Sequence, residues 1–237
     1  MNAFAKLSVA TLLAAGLVQF ASAQFSQPAG TSGSLGGNTT DFGCMTVDIG
    51  GTYEMGGGTI QNAGALVIQS GGDLDAAGSL ELGSDVDIQG SIDASQSNVT
   101  LNGLCAAPGV PIKVAGTAVF SNLTITSTTG QSFEFQPGVS ITVTGTLTVT
   151  GTAGNPLTLI SANGQPINII LAPGAQVVQS NVNLVNVNLG VPKPPTSVAA
   201  VPGIGTFLAW ILSLLLFAVS FRGLRTQRDP INPRTQP

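Results

Sequence analysis

A chain of 237 residues with seven basic and eleven acidic residues, no histidine and only 8 % charged positions is too apolar for a disordered segment and too poor in charge for a solvated helical bundle. Between Gln24 and Ala200, two lysines (Lys113 and Lys193) stand against ten acidic residues from Asp41 to Glu134, a net charge of −8. That balance excludes a nucleic-acid partner, because phosphate binding needs a basic face, and excludes adhesion to anionic lipid by charge.

The first element, residues 1–23, reads as a Sec-type signal peptide. Lys6 gives a short positive start, Leu7 to Phe20 is mostly apolar, and Ala21-Ser22-Ala23 is a small-x-small cleavage signal before Gln24. Residues 24–57 follow as an N-terminal cap or linker, rich in Gly, Ser and Thr as far as Phe42. Phe42, Cys44, Met45, Val47 and Ile49 could cover the open first coil of whatever follows.

Residues 58–190 repeat one pattern: two aliphatic residues at i and i+2, then a turn with Gly or Asn. The pairs are Leu66/Ile68, Leu80/Leu82, Val86/Ile88, Val99/Leu101, Leu123/Ile125, Ile141/Val143, Leu147/Val149, Leu157/Leu159, Ile167/Ile169 and Val187/Leu189. A period of two puts both members on one strand face. Gly64, Gly78, Gly90 and Gly103 suggest a coil of about 13 residues, and the downstream strands repeat at about two such units. A β-sandwich would carry more aromatic core than the four Phe and one Tyr between Phe42 and Leu189. The expected fold is all-β: a single-stranded parallel β-helix (solenoid), with Ile68, Leu82, Ile88, Leu101, Leu123, Ile125, Val143 and Val149 in its core.

Residues 191–203 form a Pro-rich linker, too rich in Pro for a helix or a central strand. Residues 204–221, Ile204 to Phe221, contain no charge; as a helix they span about 27 Å, close to a bilayer core of about 30 Å. Arg222, Arg225 and Arg228 open a basic tail, residues 222–237, that belongs on the cytoplasmic side. Both ends agree on one topology: body outside, tail inside.

Chemistry is scarce. Without histidine there is no His base, no Ser-His-Asp triad and little prospect of zinc, and the sequence implies no cofactor. Cys44 and Cys105 would form one bridge in an oxidising compartment; the alternative is two small buried thiols. Asp73/Asp75 and Asp85/Asp87 are i,i+2 pairs twelve positions apart, about one coil on the Gly spacing. They are weak candidates for calcium or for a polysaccharide-cleaving carboxylate pair, and the plainer reading is a solvated face that keeps the rod soluble. Thr142, Thr144, Thr146, Thr148 and Thr150 make an outward row, as in ice-binding solenoids, although Thr also simply favours exposed strands. Asn-x-Thr triplets begin at Asn38, Asn98 and Asn122; in a bacterial chain they are incidental.

The stretch from Val201 to Arg228 resembles the C-terminal sorting signals of bacterial exosortase substrates: a Pro-containing motif, one apolar helix, then an Arg cluster. Val201-Pro202-Gly203-Ile204-Gly205-Thr206-Phe207 is similar to the IPTL-CTERM variant of the PEP-CTERM type, with Ile204 in place of its Leu, Phe207 in place of its Trp, and Gly203 departing from its Thr. The resemblance implies a sorting protease of the inner membrane that cuts the helix away, and an association with exopolysaccharide. A permanent single-pass anchor is the alternative. The later half of the body, with Asn122-Leu123-Thr124-Ile125 followed by Leu147-Thr148-Val149-Thr150-Gly151, also resembles right-handed parallel β-helix surface proteins. The expected function is a non-catalytic exported envelope, surface or extracellular-matrix protein. A polysaccharide-active β-helix enzyme and a calcium-dependent adhesin are the rivals.

Overall fold

The structure, a computed structural model, describes residues 24–192. They form strands without a helix, wound as a parallel β-solenoid of about 8 turns. The first coil is β1 (Gln24–Gln27), β2 (Ser32–Ser34) and β3 (Thr39–Asp41); the second is β4 (Thr46–Ile49), β5 (Thr52–Glu54) and β6 (Thr59–Ala63). The third is β7 (Leu66–Ile68), β8 (Asp73–Asp75) and β9 (Gly78–Leu82). The fourth is β10 (Val86–Ile88) with the long β11 (Ser91–Leu101), and the fifth is the single strand β12 (Ile112–Thr126). The sixth is β13 (Ser132–Phe135), β14 (Ser140–Val143) and β15 (Thr146–Thr150). The seventh is β16 (Leu157–Ser161), β17 (Ile167–Leu171) and β18 (Gln176–Ser180), and the last is β19 (Val182–Val185) and β20 (Val187–Pro192).

Each coil turns through three sides. The first side stacks β1, β4, β7, β10, the start of β12, β13, β16 and β19. The third stacks β3, β6, β9, the ends of β11 and β12, β15 and β18. The second side is interrupted. Its upper part ends at Ser91–Asp93 of β11, which pairs with β8 above it. Its lower part begins at Thr117–Phe120 of β12, which pairs with β14 below. Between them only Ala94 and Phe120 are paired. From the Ile88–Gly116 pair to that one, the fourth coil spends five intervening residues and the fifth only three, so the ladder cannot stay in register.

The i,i+2 pairs point inward as their period requires. The eight expected core residues are 0 to 7 % exposed, and Phe133 and Phe135 are fully buried beside them. Each buried aliphatic side chain contributes roughly 1.5–3 kcal/mol relative to exposure. The four buried polar residues, Ser97, Ser127, Gln131 and Ser161, carry no unpartnered side-chain atom; Ser97 Oγ, for example, donates to the Ala94 carbonyl at 2.7 Å.

Two expectations need correction. Residues 24–57 are not a separate cap or linker: β1 to β5 lie within them and belong to the same ladders as the rest. Their Gly- and Ser-rich composition hides strands because inward positions there include Gly33 and Thr40, in register with Tyr53 and Ile60. The coil, moreover, is not 13 residues. Leu66 stacks on Val86 and Leu123 on Leu147, and the steps run from 18 residues, Asp73 to Ser91, up to 30, Thr146 to Gln176. The glycines mark corners: Gly64 lies between β6 and β7, Gly78 opens β9, Gly90 lies between β10 and β11, and Gly103 follows β11. Each step therefore advances two corners of a three-cornered coil. Glycine is required at such a corner, since a Cβ on Gly90 would collide with the Gly72 carbonyl of the coil above.

Candidate functional site

Four features of the surface could carry function. The first is the corner that holds the cysteines. Cys44 follows β3 with a φ of 67°, a left-handed conformation unusual for a side-chain-bearing residue; its N–H donates to the Asn62 carbonyl at 2.6 Å. Cys105 follows β11, and its N–H donates to the Gly83 carbonyl at 2.8 Å. The two are joined by a disulfide with their Cα atoms 5.4 Å apart. Glycines on the intervening coils make room for it. A Cβ at Gly83 would lie 2.5 Å from Cys105 Sγ, and one at Gly64 would strike the Cys44 carbonyl.

The second feature is an acidic wall. The register separates the two aspartate pairs that the sequence places one coil apart: Asp73 and Asp75 lie in β8 on the second side, whereas Asp87 lies in β10 on the first and Asp85 just precedes it. Twelve positions is two sides of the coil, not one turn. Asp85 Oδ1 accepts the Lys113 N–H at 2.9 Å, and Asp87 Oδ2 accepts from Gln89 at 2.8 Å. The partners of Asp75 are instead Glu54 above and Asp93 below, two residues 21 and 18 positions away that adjacent-pair reasoning misses. The strands that carry these residues are spaced about 4.8 Å apart. Asp75 Oδ1 accepts the Ala77 N–H at 3.0 Å. Asp93 Oδ1 accepts the Ser95 N–H at 3.0 Å and its hydroxyl at 2.7 Å, and those two bonds hold the Asp93 carboxyl below its ordinary pKa. Among the described residues no three His, Cys, Asp or Glu converge as a metal-ligand set.

The third is a polar column on the third side. The threonine row bends at a corner: Thr142 lies in β14, and Thr146, Thr148 and Thr150 lie in β15. Thr148 and Thr150 stack under Thr124 and Thr126, but Val178 and Ser180 come next, so the threonine array stops at β18. Asn122 stacks on Asn98 and donates to it at 3.0 Å, while its own Oδ1 accepts the Thr146 N–H at 2.9 Å.

The fourth is the difference between the two ends of the stack. At the N-terminal end, Phe25 meets Phe42 and Tyr53 edge-on, with ring centroids at 5.3 and 5.4 Å, and Phe42 is buried. Among the described residues, β1, β2 and β3 pair only with the coil below them, and at the C-terminal end β18, β19 and β20 pair only with the coils above them. Val178, Leu184 and Val185 are exposed there, Val178 by 52 %.

Ala21 and Ala23 of the cleavage signal, the sorting motif Val201, Pro202, Gly203, Ile204 and Phe207, the apolar stretch to Phe221, and Arg222, Arg225 and Arg228 lie outside the described residues. Gln24 is the first residue of β1. Among the described residues no helix is long and apolar enough to cross a membrane. In comparisons with family models, curated proteins and solved structures, the chain matches none of them.

Proposed function

We propose that this chain is a non-catalytic exported envelope protein. Its body is a disulfide-stapled β-rod, delivered by residues 1–23, held at the inner membrane by residues 204–221, and released to the surface or matrix by a sorting protease acting near Val201. The supporting observation is the Cys44–Cys105 bridge in a body bracketed by an export signal and a sorting-type tail. A bridge between the only two cysteines suits an oxidising compartment outside the cytoplasm. Pro202, Gly203 and Gly205 weaken helical backbone just outside the bilayer, and a protease needs extended, accessible chain. The stacked acidic wall and the polar column offer hydrogen-bonding edges to neutral exopolysaccharide and repel anionic polymers.

The test is the mass of the protein recovered from the envelope of an exporting host with a sorting protease. The mature chain should begin at Gln24, end between Val201 and Thr206, and lack Trp210. Neutral replacements of Arg222, Arg225 and Arg228 should impair retention and cutting, since that cluster stops transfer. Peptides from Ile231 to Pro237 in the mature surface protein would show a permanent anchor instead.

A further inference from the structure

We propose that Gln24 is a modification site: once removal of residues 1–23 frees its α-amine, it closes on itself to a pyroglutamate, and Asp48 restrains that reaction in the folded rod. The proposal rests on the export reading, because Gln24 has a free α-amine only in a chain cut after Ala23. A glutamine in first place sets an amine and a primary carboxamide within reach of a five-membered ring, and an α-amine is partly unprotonated near neutral pH. The amine nitrogen attacks Cδ, a C–N bond forms and the Cδ–Nε2 bond breaks. Nε2 leaves as ammonia, taking the proton that the amine gives up. No oxidant, metal or second substrate enters.

The fold governs when this happens. Gln24 is exposed and is the first residue of β1, in register with Thr46 of β4. Its Nε2 donates to Asp48 Oδ2 at 2.8 Å. Asp48 is fixed in turn by Gln69 Nε2, which donates at 2.7 Å to Oδ1 and at 2.9 Å to Oδ2. Asp48 is in register with Ser26, further along the strand, so the Gln24 side chain leans forward along β1, away from its own α-nitrogen. The next residue, Phe25, is held by Phe42 and Tyr53, so ring closure in the rod is left to rotation of the Gln24 side chain, which must first leave the carboxylate. The product is a neutral lactam. The mature rod then has no N-terminal amine for an aminopeptidase to grip, and Asp48 loses one of its two amide donors.

The test follows the N-terminal peptide of the exported full chain by mass, and the reactivity of its α-amine, through incubation at neutral pH. The peptide beginning at Gln24 should become lighter by one ammonia and lose its reactive amine, more slowly in the folded chain than in denaturant. Asp48→Ala should quicken the folded chain by up to about tenfold, the worth of one hydrogen bond to a charged group, and leave the rate in denaturant unchanged. Gln24→Ser, without a carboxamide, should keep its amine. A chain beginning at Gln24 that keeps its full mass and its amine even in denaturant would overturn the proposal, and a folded Asp48→Ala chain that converts no faster than the unaltered one would overturn the restraint by Asp48. A mature chain that begins elsewhere would overturn the export reading; a second chain, with residues 1–23 replaced by a leader of known cut site that leaves Gln24 first, keeps the two failures apart.

Discussion

The first four coils and the last three are built on the same inward pairs but held differently. The first four carry nine of the ten acidic residues of the body and one disulfide. The sixth and seventh carry no staple, and beyond Glu134 no charge; they rely on Phe133, Phe135 and long aliphatic ladders. A repeat protein is stabilised coil by coil and by each interface with the next. Its two halves can therefore fail separately, and the difference between them can be measured.

Removing the bridge should have the largest effect. Closing a loop of 61 residues constrains the unfolded chain by roughly 4 kcal/mol on the entropic model. The Cys44→Ala/Cys105→Ala protein should melt on the order of 10 °C lower. Amide exchange should quicken first in β1 to β11, with β13 to β17 following later. Equal loss of protection in both halves would break the contrast.

A smaller change should have the opposite sign. Asp75 stands between Glu54 and Asp93, and like charges directly across strands destabilise. Asp75→Asn keeps an acceptor for the Ala77 N–H and removes the middle charge. It should raise stability by about 0.2–1 kcal/mol at low ionic strength, and salt should shrink the gain by screening the wall. An unchanged melting temperature at low salt would show that the wall carries no strain.

The smallest effect concerns pH. Hydrogen bonds from the Ser95 hydroxyl and N–H depress the Asp93 pKa. A carboxyl depressed on folding adds stability above its ordinary pKa, and that contribution is lost as pH falls through the folded value. Ser95→Ala removes the hydroxyl bond and leaves the backbone one. The Asp93 pKa, read by NMR titration, should rise part of the way back and the acid limb of the melting curve should soften slightly, whereas an unmoved pKa would remove Ser95 as the cause.

What the sequence reveals follows from the range of each interaction. Pairs such as Leu123/Ile125 are legible because a strand alternates its faces within three residues. Coil length is not, because a parallel ladder joins residues 18 to 30 apart and nothing local fixes the step; Gly64, Gly78, Gly90 and Gly103 mark corners and so mislead by a regular fraction. The first coil is obscured because its inward positions include Gly33 and Thr40, small or polar residues in register with Tyr53 and Ile60 of the next coil. Of the site, Asp73 and Asp75 are legible as neighbours on a face, but Glu54 and Asp93 become visible only with the register. The two cysteines are legible as a pair that could join, and their distance only from the way Gly64 and Gly83 narrow the corner.

The break on the second side gives the rod a mechanical direction. Two sides run as continuous ladders through the fourth and fifth coils, while the second is joined there only at Ala94 and Phe120. A beam with one of three flanges cut resists torque about most axes and yields about one, opening on the cut side. Load applied along the body should therefore concentrate at Ser91–Asp93 and Thr117–Val119, and the two halves should behave as stiff levers about a hinge line rather than as one uniform strut.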